Sequence, residues 1–227
     1  MQLLMDELDA VCSSLRLSGT SSDSGFHIYA HGSGGMVALQ YAAQRAPPGL
    51  RSLVLASVPD SYQALIDDRR AAAQALGPAP AEVLVNREGD ASAKAEFQAA
   101  LGVYNRAYIS RQDPGCLAAA RQGRSGAAFE ALAGRRLFSA AGQLAGWDCA
   151  DSAARLGGLP VLVCRGERDE VSAGSAGRLA AALQAGKLAT VPGAGSYMHI
   201  DAWEPHLETV EGFISAAEGS KTVTAGG

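Results

Sequence analysis

The sequence has neither a long apolar run nor a cluster of positive charge. Hydrophobic residues make up 48% of the 227 positions, but no stretch is long enough to span a bilayer. Asp6 and Glu7 stand where a signal peptide needs basic residues followed by an apolar run. The formal net charge is −4 and the Lys and Arg residues are scattered, so no basic stripe follows a nucleic-acid backbone. We therefore predict a cytoplasmic protein without nucleic-acid or membrane partners.

Cysteine is also scarce, and the residue patterns of common cofactor sites are missing. The four cysteines, Cys12, Cys116, Cys149 and Cys164, include no C-x-x-C pair, which favours reduced thiols over a disulfide framework or a zinc site. Cys164 lies in an apolar run and is predicted to be a core residue. No histidine has metal-ligand spacing with cysteine or carboxylate partners, and no phosphate-binding glycine motif follows a strand. The sequence thus predicts neither a metal nor a cofactor.

Strand and helix patterns alternate near both ends of the chain. Four apolar runs predict buried strands, at residues 26–30, 52–56, 159–164 and 188–191. Helical spacing of apolar residues predicts helices between them, at residues 1–17, 36–44, 173–183 and about 205–217. Strands that alternate with helices predict a parallel sheet covered on both faces.

The middle of the chain is different, because strand signals vanish between residues 57 and 146. Alanine-rich helical patterns alternate there with glycine and proline breaks, which predicts a helical insertion. We therefore predict an α/β fold with four parts. They are a first part of the core (1–56), a helical lid (57–150), a second part of the core (151–217) and a flexible tail (218–227).

The turn after the first predicted strand has the layout of a nucleophile elbow. Residues 30–35 read AHGSGG between an apolar strand and a helix, the context of the G-x-S-x-G turn that raises a serine above the sheet. Crowding demands small residues two places on either side of the elbow. Gly32 as the elbow residue has Ala30 and Gly34 at those places, whereas Ser33 would have the bulky His31 at one of them. The register therefore favours Gly32.

Residues 26–42, FHIYAHGSGGMVALQYA, resemble the segment of the proline iminopeptidases in which GHSWGG precedes a helix of small and apolar residues. The resemblance continues through LVLAS (53–57) and PVLVCRGERDE (160–170) and covers nearly the whole chain up to residue 214. It implies an incomplete α/β-hydrolase fold, with a mainly parallel sheet and a helical lid insertion. It also implies an ancestral activity that releases N-terminal proline from short peptides without a cofactor.

The resemblance assigns the three positions of the catalytic triad to Gly32, Asp169 and Ser196. Asp169 matches the aspartate that orients the catalytic histidine in this family. The next family loop reads PGxxHxxHLE, and counting from Pro192 places Ser196 on the catalytic histidine and His199 on the second, structural one. Histidine carries the proton in such a triad and aspartate only orients it. Loss of the serine or the histidine costs roughly 10⁶ in turnover, so the resemblance predicts a catalytically silent protein.

An alternative interpretation keeps the activity. Ser33 and His199 could form a displaced catalytic pair, which would make the protein an active serine aminopeptidase or esterase. Against it, one step along a helix turns a side chain by about 100°, and His199 follows the expected base by three positions. The opposing interpretation is that Ser33 caps its helix and His199 hydrogen-bonds within its loop.

A third interpretation concerns partners. Family members carry several strands and an HGGPG loop, which supplies an oxyanion donor, before the helix that here begins the sequence. Without them, the strand at residues 26–30 is predicted to be an apolar sheet edge, which invites pairing. We hypothesise that the chain forms a homodimer or pairs with a complementing N-terminal half. Alternatively, it acts as structural or regulatory partner of a full-length hydrolase, or it folds poorly. In the silent-hydrolase interpretation, the lidded pocket binds a peptide or a small molecule.

Five further residues in the lid have simpler interpretations. Trp147 is predicted to anchor the lid to the core. The pairs Arg69-Arg70 and Arg135-Arg136 are predicted to lie on solvated helix faces, without a functional role.

Overall fold

A computed structural model describes residues 1–17, 25–112 and 126–219. Its four strands form one sheet in the order β1-β2-β3-β4, and every neighbouring pair is parallel. The strands are β1 (Phe26–His31), β2 (Leu50–Ala56), β3 (Val161–Gly166) and β4 (Gly186–Val191). Cys116 and the predicted tail from residue 220 onward lie outside the described residues.

The helices connect the strands or belong to the insertion between β2 and β3. Those outside the insertion are α1 (Gln2–Ser14), α2 (Ser33–Arg45), α7 (Ala150–Leu156), α8 (Ala173–Ala182), α9 (Met198–Asp201) and α10 (Trp203–Gly219). Those of the insertion, here called the lid, are α3 (Tyr62–Ala75), α4 (Pro78–Ala81), α5 (Lys94–Tyr104) and α6 (Gly126–Ala133). Two π-helical turns, Glu82–Asn86 and Asn105–Ile109, and a short 3₁₀ turn, Ala91–Ala93, complete it.

The sheet is apolar on both faces, as a parallel sheet between two helical layers must be. Leu53 and Leu55 of β2 face the layer that includes α2 and α8, whereas Val54 faces the layer of α10, where it joins Phe213. Every residue of β3 is buried, including Cys164. The predicted α/β fold with helices on both faces is confirmed, and so is the core position of Cys164.

The lid leaves the core and returns to it at one point. Tyr62 N donates to Trp147 O (2.9 Å) and Cys149 N donates to Asp60 O (2.8 Å), so the two ends of the lid are hydrogen-bonded together. Trp147 is buried in the main core cluster, which confirms its predicted anchoring role. The lid also has a small core of its own around Leu84 and Phe138.

One edge of the sheet is open in the part of the chain that the structure describes. β1 pairs with β2, and no other described strand pairs with it. Phe26 and Ile28 pack towards α1, while Tyr29 points to the opposite face and hydrogen-bonds to His206 of α10 (3.1 Å). The Tyr29 side chain is nevertheless partly exposed, so β1 presents both backbone and aromatic surface.

A search of the described helices for a membrane-spanning candidate, by length and apolar character, identified none.

Candidate active site

The residues of the predicted triad lie at the carboxyl edge of the sheet, where α/β folds place their ligands. Gly32 follows β1, Asp169 lies just beyond β3, and Ser196 lies in the loop after β4. Ser57, which directly follows β2, joins them. One residue that follows each of the four strands therefore lies at this site.

Gly32 forms a sharp strand-to-helix turn. Its backbone has φ 55° and ψ −128°, a conformation that glycine adopts without the steric cost other residues meet. Its N–H donates to Ala56 O (2.9 Å), which fixes the turn against β2. A Cβ built at Gly32 has no atom within 4 Å, so a side chain would have room there. The turn thus has the sharpness of an elbow and the space for a nucleophile, but it carries no side chain.

Ser33 is the first residue of α2, and its helix has Gly32 as N-cap without a side-chain cap bond. The prediction that Ser33 caps its helix is therefore wrong. The helix begins three residues before its predicted start because the glycine turn feeds directly into it. Glycine is needed again at Gly35, where a Cβ would overlap Val58 Cγ2.

Asp169 is a buried carboxylate with a full set of donors. Its Oδ1 accepts from Ser196 Oγ (2.6 Å), Ser57 Oγ (2.7 Å) and the N–H of Val171 (3.0 Å), and Oδ2 accepts from the N–H of Gly166 (3.2 Å). Burial raises the pKa of Asp169, and the hydrogen bonds from Ser196, Val171 and Ser57 oppose that rise. The group that faces this aspartate from the base position is therefore a hydroxyl.

Ser196 is held from several sides. Besides its bond to Asp169, its Oγ lies 3.3 Å from Tyr108 O and accepts weakly from the N–H of Glu170 (3.4 Å). Its own N–H donates to Tyr108 O (2.8 Å), and the N–H of Tyr197 donates to Ile109 O (2.9 Å). These bonds join the loop after β4 to the lid. A serine hydroxyl does not take up a proton near neutral pH, so it cannot act as the general base of a triad.

His199 lies on the short helix α9, separate from α10, and its side chain is exposed. Its ring centre is 5.9 Å from that of His31 and 6.5 Å from that of His206. Burial and the neighbouring His31 lower the pKa of His199. Ser33 borders the cavity described below, whereas His199 is not among the residues that line it. No hydrogen bond joins Ser33 Oγ to His199 in the described part of the chain.

His31 precedes the elbow and packs against the loop after β4. Its Nε2 lies 2.9 Å from Ser196 O, at hydrogen-bonding distance, and its ring stacks on that of Tyr197 with 5.1 Å between centres. The ring therefore covers the side of the elbow next to Ser196.

The family model described as the alpha/beta hydrolase family matches residues 3–210. The chain belongs to this family. A search of curated proteins found no match.

Solved structures similar to this chain agree with this assignment at the level of the fold. The proline iminopeptidase of Mycobacterium smegmatis superimposes with a TM-score of 0.84 at 22% identity, over 97% of this chain and 73% of that one. VinJ gives 0.84 at 22% identity, over 96% and 72%. A proline iminopeptidase-related protein of Thermus thermophilus gives 0.62 at 24% identity, over 94% and 70%. The chain therefore aligns almost completely to about three quarters of a hydrolase, and the prediction of an incomplete α/β-hydrolase fold is confirmed.

A cavity lies between the hydrolase core and the lid, directly over the elbow. Its outer part has a volume of about 440 Å³, and an inner part of about 100 Å³ reaches Ser57 and Ser196. Gly32 and Ser33 line both parts. A hydrolase pocket of this size suits a small organic ligand.

The wall of this cavity contains an ion pair that no sequence pattern indicated. Arg69 of α3 donates to both carboxylate oxygens of Glu170, through Nε to Oε2 (2.9 Å) and Nη2 to Oε1 (2.8 Å). Tyr104 Oη donates to Glu170 Oε2 (3.0 Å). Burial alone would raise the pKa of Glu170, but Arg69 and Tyr104 lower it overall. Burial would lower the pKa of Arg69, and Glu170 raises it.

The prediction that Arg69 lies on a solvated face is wrong, because its side chain is only 17% exposed and is paired with Glu170. Its neighbour Arg70 also turns inward and donates to Phe138 O (2.9 Å). Arg135 is exposed as predicted, paired with Glu130. The partners Arg69 and Glu170 are 101 positions apart, so no local pattern in the sequence could have joined them.

The described residues contain no group of three or more His, Cys, Asp or Glu side chains that could hold a metal ion. Cys12, Cys149 and Cys164 are buried free thiols. Burial first, and then the charge of Asp169, raises the pKa of Cys164 to about 12, so this thiol is not a nucleophile.

Proposed function

We propose that this member of the α/β-hydrolase family binds a small molecule or short peptide in its lidded cavity without cleaving it. The observation that carries the proposal is Gly32 at the elbow. The turn keeps the backbone path of a nucleophile elbow but offers no hydroxyl or thiol. The partner of Asp169 at the base position, Ser196, cannot accept a proton.

The size of the catalytic loss supports a binding role. A serine hydrolase that lacks its nucleophile or its base loses roughly 10⁶ in turnover, and the two losses do not add because the residues act as a unit. The cavity has no such defect, since lid and core still enclose about 440 Å³ over the elbow. Binding without turnover is therefore the activity that the described residues support best.

The alternative, an active aminopeptidase or esterase, depends on Ser33 and His199. Ser33 borders the cavity, but His199 neither lines it nor hydrogen-bonds to Ser33 among the described residues. Efficient proton transfer needs the base within hydrogen-bond reach of the nucleophile. This alternative would require a movement of α9 towards α2.

The first experiment is exposure of the folded protein to a fluorophosphonate, which modifies serines that a nearby base activates, followed by intact-mass measurement and peptide mapping. We expect no modification, while an active serine hydrolase treated in parallel is labelled completely. The variant Gly32→Ser/Ser196→His serves as an internal comparison, because it returns both missing groups to the site. Stoichiometric labelling of Ser33 in the natural protein would overturn the proposal, and loss of that label in His199→Ala would identify the base.

A second candidate function is structural, and the open edge of β1 favours it. A strand with an unpaired edge can accept another strand by backbone hydrogen bonding. Its occupant in this proposal is the N-terminal strand segment of an α/β hydrolase, since about a quarter of each solved neighbour has no counterpart in this chain. Stoichiometric complex formation with such a fragment, measured by sedimentation, would support this function. A lack of association at 100 µM would contradict it.

A further inference from the structure

We propose that the ligand of the cavity is an uncharged molecule with an aromatic or aliphatic body, and not a peptide with a free amino terminus. The inference rests on the proposed binding function and specifies its ligand. It follows from how the charged groups of the cavity wall are paired.

The cavity contains one carboxylate and one guanidinium among its described lining residues, Glu170 and Arg69. They are paired with each other through two hydrogen bonds of 2.8 and 2.9 Å. Both side chains are largely buried, with 12% and 17% of their surface exposed. The two opposite charges therefore offset each other inside the wall, and the described wall has no net charge from this pair.

A free amino terminus needs a carboxylate or several carbonyl oxygens to replace its water shell. Glu170 is the described carboxylate that borders the cavity, and its two oxygens already accept three hydrogen bonds, from Arg69 and Tyr104. An ammonium group that approached it would also meet the positive charge of Arg69. A cationic ligand would therefore lose its hydration water on entering the cavity without gaining an unpaired carboxylate as its partner.

A carboxylate ligand faces the same difficulty with Arg69. Two of its guanidinium nitrogens bond Glu170, and Nη1 donates to Leu137 O (3.2 Å). These contacts use three of the five N–H groups of Arg69. An anion at the remaining two would lie beside the carboxylate of Glu170, whose like charge opposes it. The ion pair in the described wall of the cavity therefore disfavours ligands of either charge.

The rest of the described wall suits an uncharged body. Most lining side chains are aromatic or aliphatic. Examples are Leu65, Leu101, Ile109, Phe129, Leu137 and Phe138. Besides the ion pair, the polar groups of the outer part are the amides of Gln98 and Asn105, the hydroxyls of Ser33, Tyr104 and Tyr197, and the imidazole of His31, which stacks on Tyr197. Such walls bury apolar surface and orient a ligand through neutral hydrogen bonds.

The test compares three probes that share one body and differ in charge: 4-phenylbutan-1-ol, 4-phenylbutylamine and 4-phenylbutanoate. Dissociation constants are measured at pH 7.5 by ligand-observed NMR on the natural protein. We expect the alcohol to bind roughly tenfold or more tightly than either ion, because charge burial without a partner is the costlier process.

The outcomes separate this inference from the function on which it rests. Tighter binding of the amine or of the carboxylate would overturn the inference and leave a binding function in place. A lack of binding by all three probes would contradict the binding function itself, and the inference with it.

Two variants locate the effect at the ion pair. Arg69→Gln frees the carboxylate of Glu170, so we expect affinity for the amine to rise at least tenfold relative to the alcohol. Arg70→Gln is the matched control, because Arg70 is the adjacent arginine and does not line the cavity, and it should keep the ranking of the natural protein.

An unchanged ranking in a folded Arg69→Gln protein would overturn the inference. Should that variant fail to fold, Tyr104→Phe removes one donor from Glu170 and should shift the ranking in the same direction by a smaller factor.

Discussion

At the scale of single residues, the predicted triad positions hold Gly32, Asp169 and Ser196, and the last two are hydrogen-bonded to each other. Asp169 is buried and receives four hydrogen bonds, yet two of them come from serine hydroxyls, Ser57 and Ser196. Burying a carboxylate is costly unless donors surround it. Ser196 therefore stabilises the fold at the position where a hydrolase has its base.

Replacement of Ser196 by alanine should lower the free energy of unfolding by about 1.5–3 kcal/mol, the usual worth of a hydrogen bond to a charged group. The measurement is urea unfolding at pH 7. Ser33→Ala is the matched control, because Ser33 Oγ has no bond to a described carboxylate, and we expect a change within about 0.5 kcal/mol. Equal effects of the two substitutions would mean that the bond to Asp169 contributes nothing.

Two glycines of the elbow allow a second comparison. Gly32→Ala should cost about 1–2 kcal/mol, because alanine is strained at a φ of 55° although nothing obstructs its Cβ. Gly35→Ala should cost more, since its Cβ would overlap Val58 and the helix must move away from β2. Thermal unfolding of both variants distinguishes conformational strain from overlap. A larger loss in Gly32→Ala than in Gly35→Ala would contradict this account.

The sequence predicted the residues that follow from spacing and resemblance, and it missed those that meet only in three dimensions. Small neighbours two places away identified Gly32 as the elbow residue. Ser57 gave no such signal, because its role depends on a positive φ of 56° directly after β2 and on a partner 112 positions away. The cap assigned to Ser33 failed because the glycine turn enters the helix without a capping residue.

At the scale of elements, several contacts fix the lid to the core. Its ends are hydrogen-bonded together near Trp147, its π-helical turn is bonded to the loop after β4, and α3 is tied to the loop after β3 through Arg69 and Glu170. The last contact is buried and ionic, so its strength depends on pH.

Arg69→Gln should destabilise the protein at pH 7 by about 3–5 kcal/mol, because it leaves the charge of Glu170 buried without its partner. The folded-state pKa of Glu170 is lowered below its unfolded value. Its contribution to stability is therefore present above the unfolded pKa, roughly 4.3, and is lost as the pH falls through the folded value. The gap between natural protein and variant should narrow at acid pH in urea unfolding from pH 7 to 3. Arg70→Gln should lack this pH dependence, and a gap that widens towards acid pH would contradict the role of the pair.

At the scale of the whole molecule, the sheet resembles a hydrolase sheet in which β1 has one partner strand, β2, among the described residues. The order of elements, the parallel sheet and the helical insertion were predictable, because apolar runs and helical spacing alternate clearly in the core. The boundaries of the elements were less predictable. The helix α10 begins at Trp203, whereas the sequence predicted a start at about Pro205. Apart from the anchor at Trp147, the contacts of the lid with the core were not predictable, since they join segments about a hundred residues apart.

The open edge predicts association that depends on concentration. Tyr29→Lys should weaken it, because a lysine on an edge strand opposes the addition of another strand. Sedimentation velocity from 1 to 100 µM measures the change, expected as a shift towards the monomer. Val103→Lys is the matched control, since Val103 lies on the lid with nearly the same exposure, 43% against 44% for Tyr29. A natural protein that is monomeric over the whole range would contradict self-association through this edge.

The glycine turn at residue 32 also bears on how the sequence can change over time. In an active hydrolase the elbow holds a non-glycine residue in a strained conformation, and that strain is tolerated because it serves the reaction. With glycine, the same corner between β1 and α2 forms without strain, and the fold gains stability. In the proposed silent hydrolase, a return to serine at Gly32 would give up that stability before any benefit appeared, since Ser196 would also have to change. We therefore expect selection for stability to retain glycine at this turn.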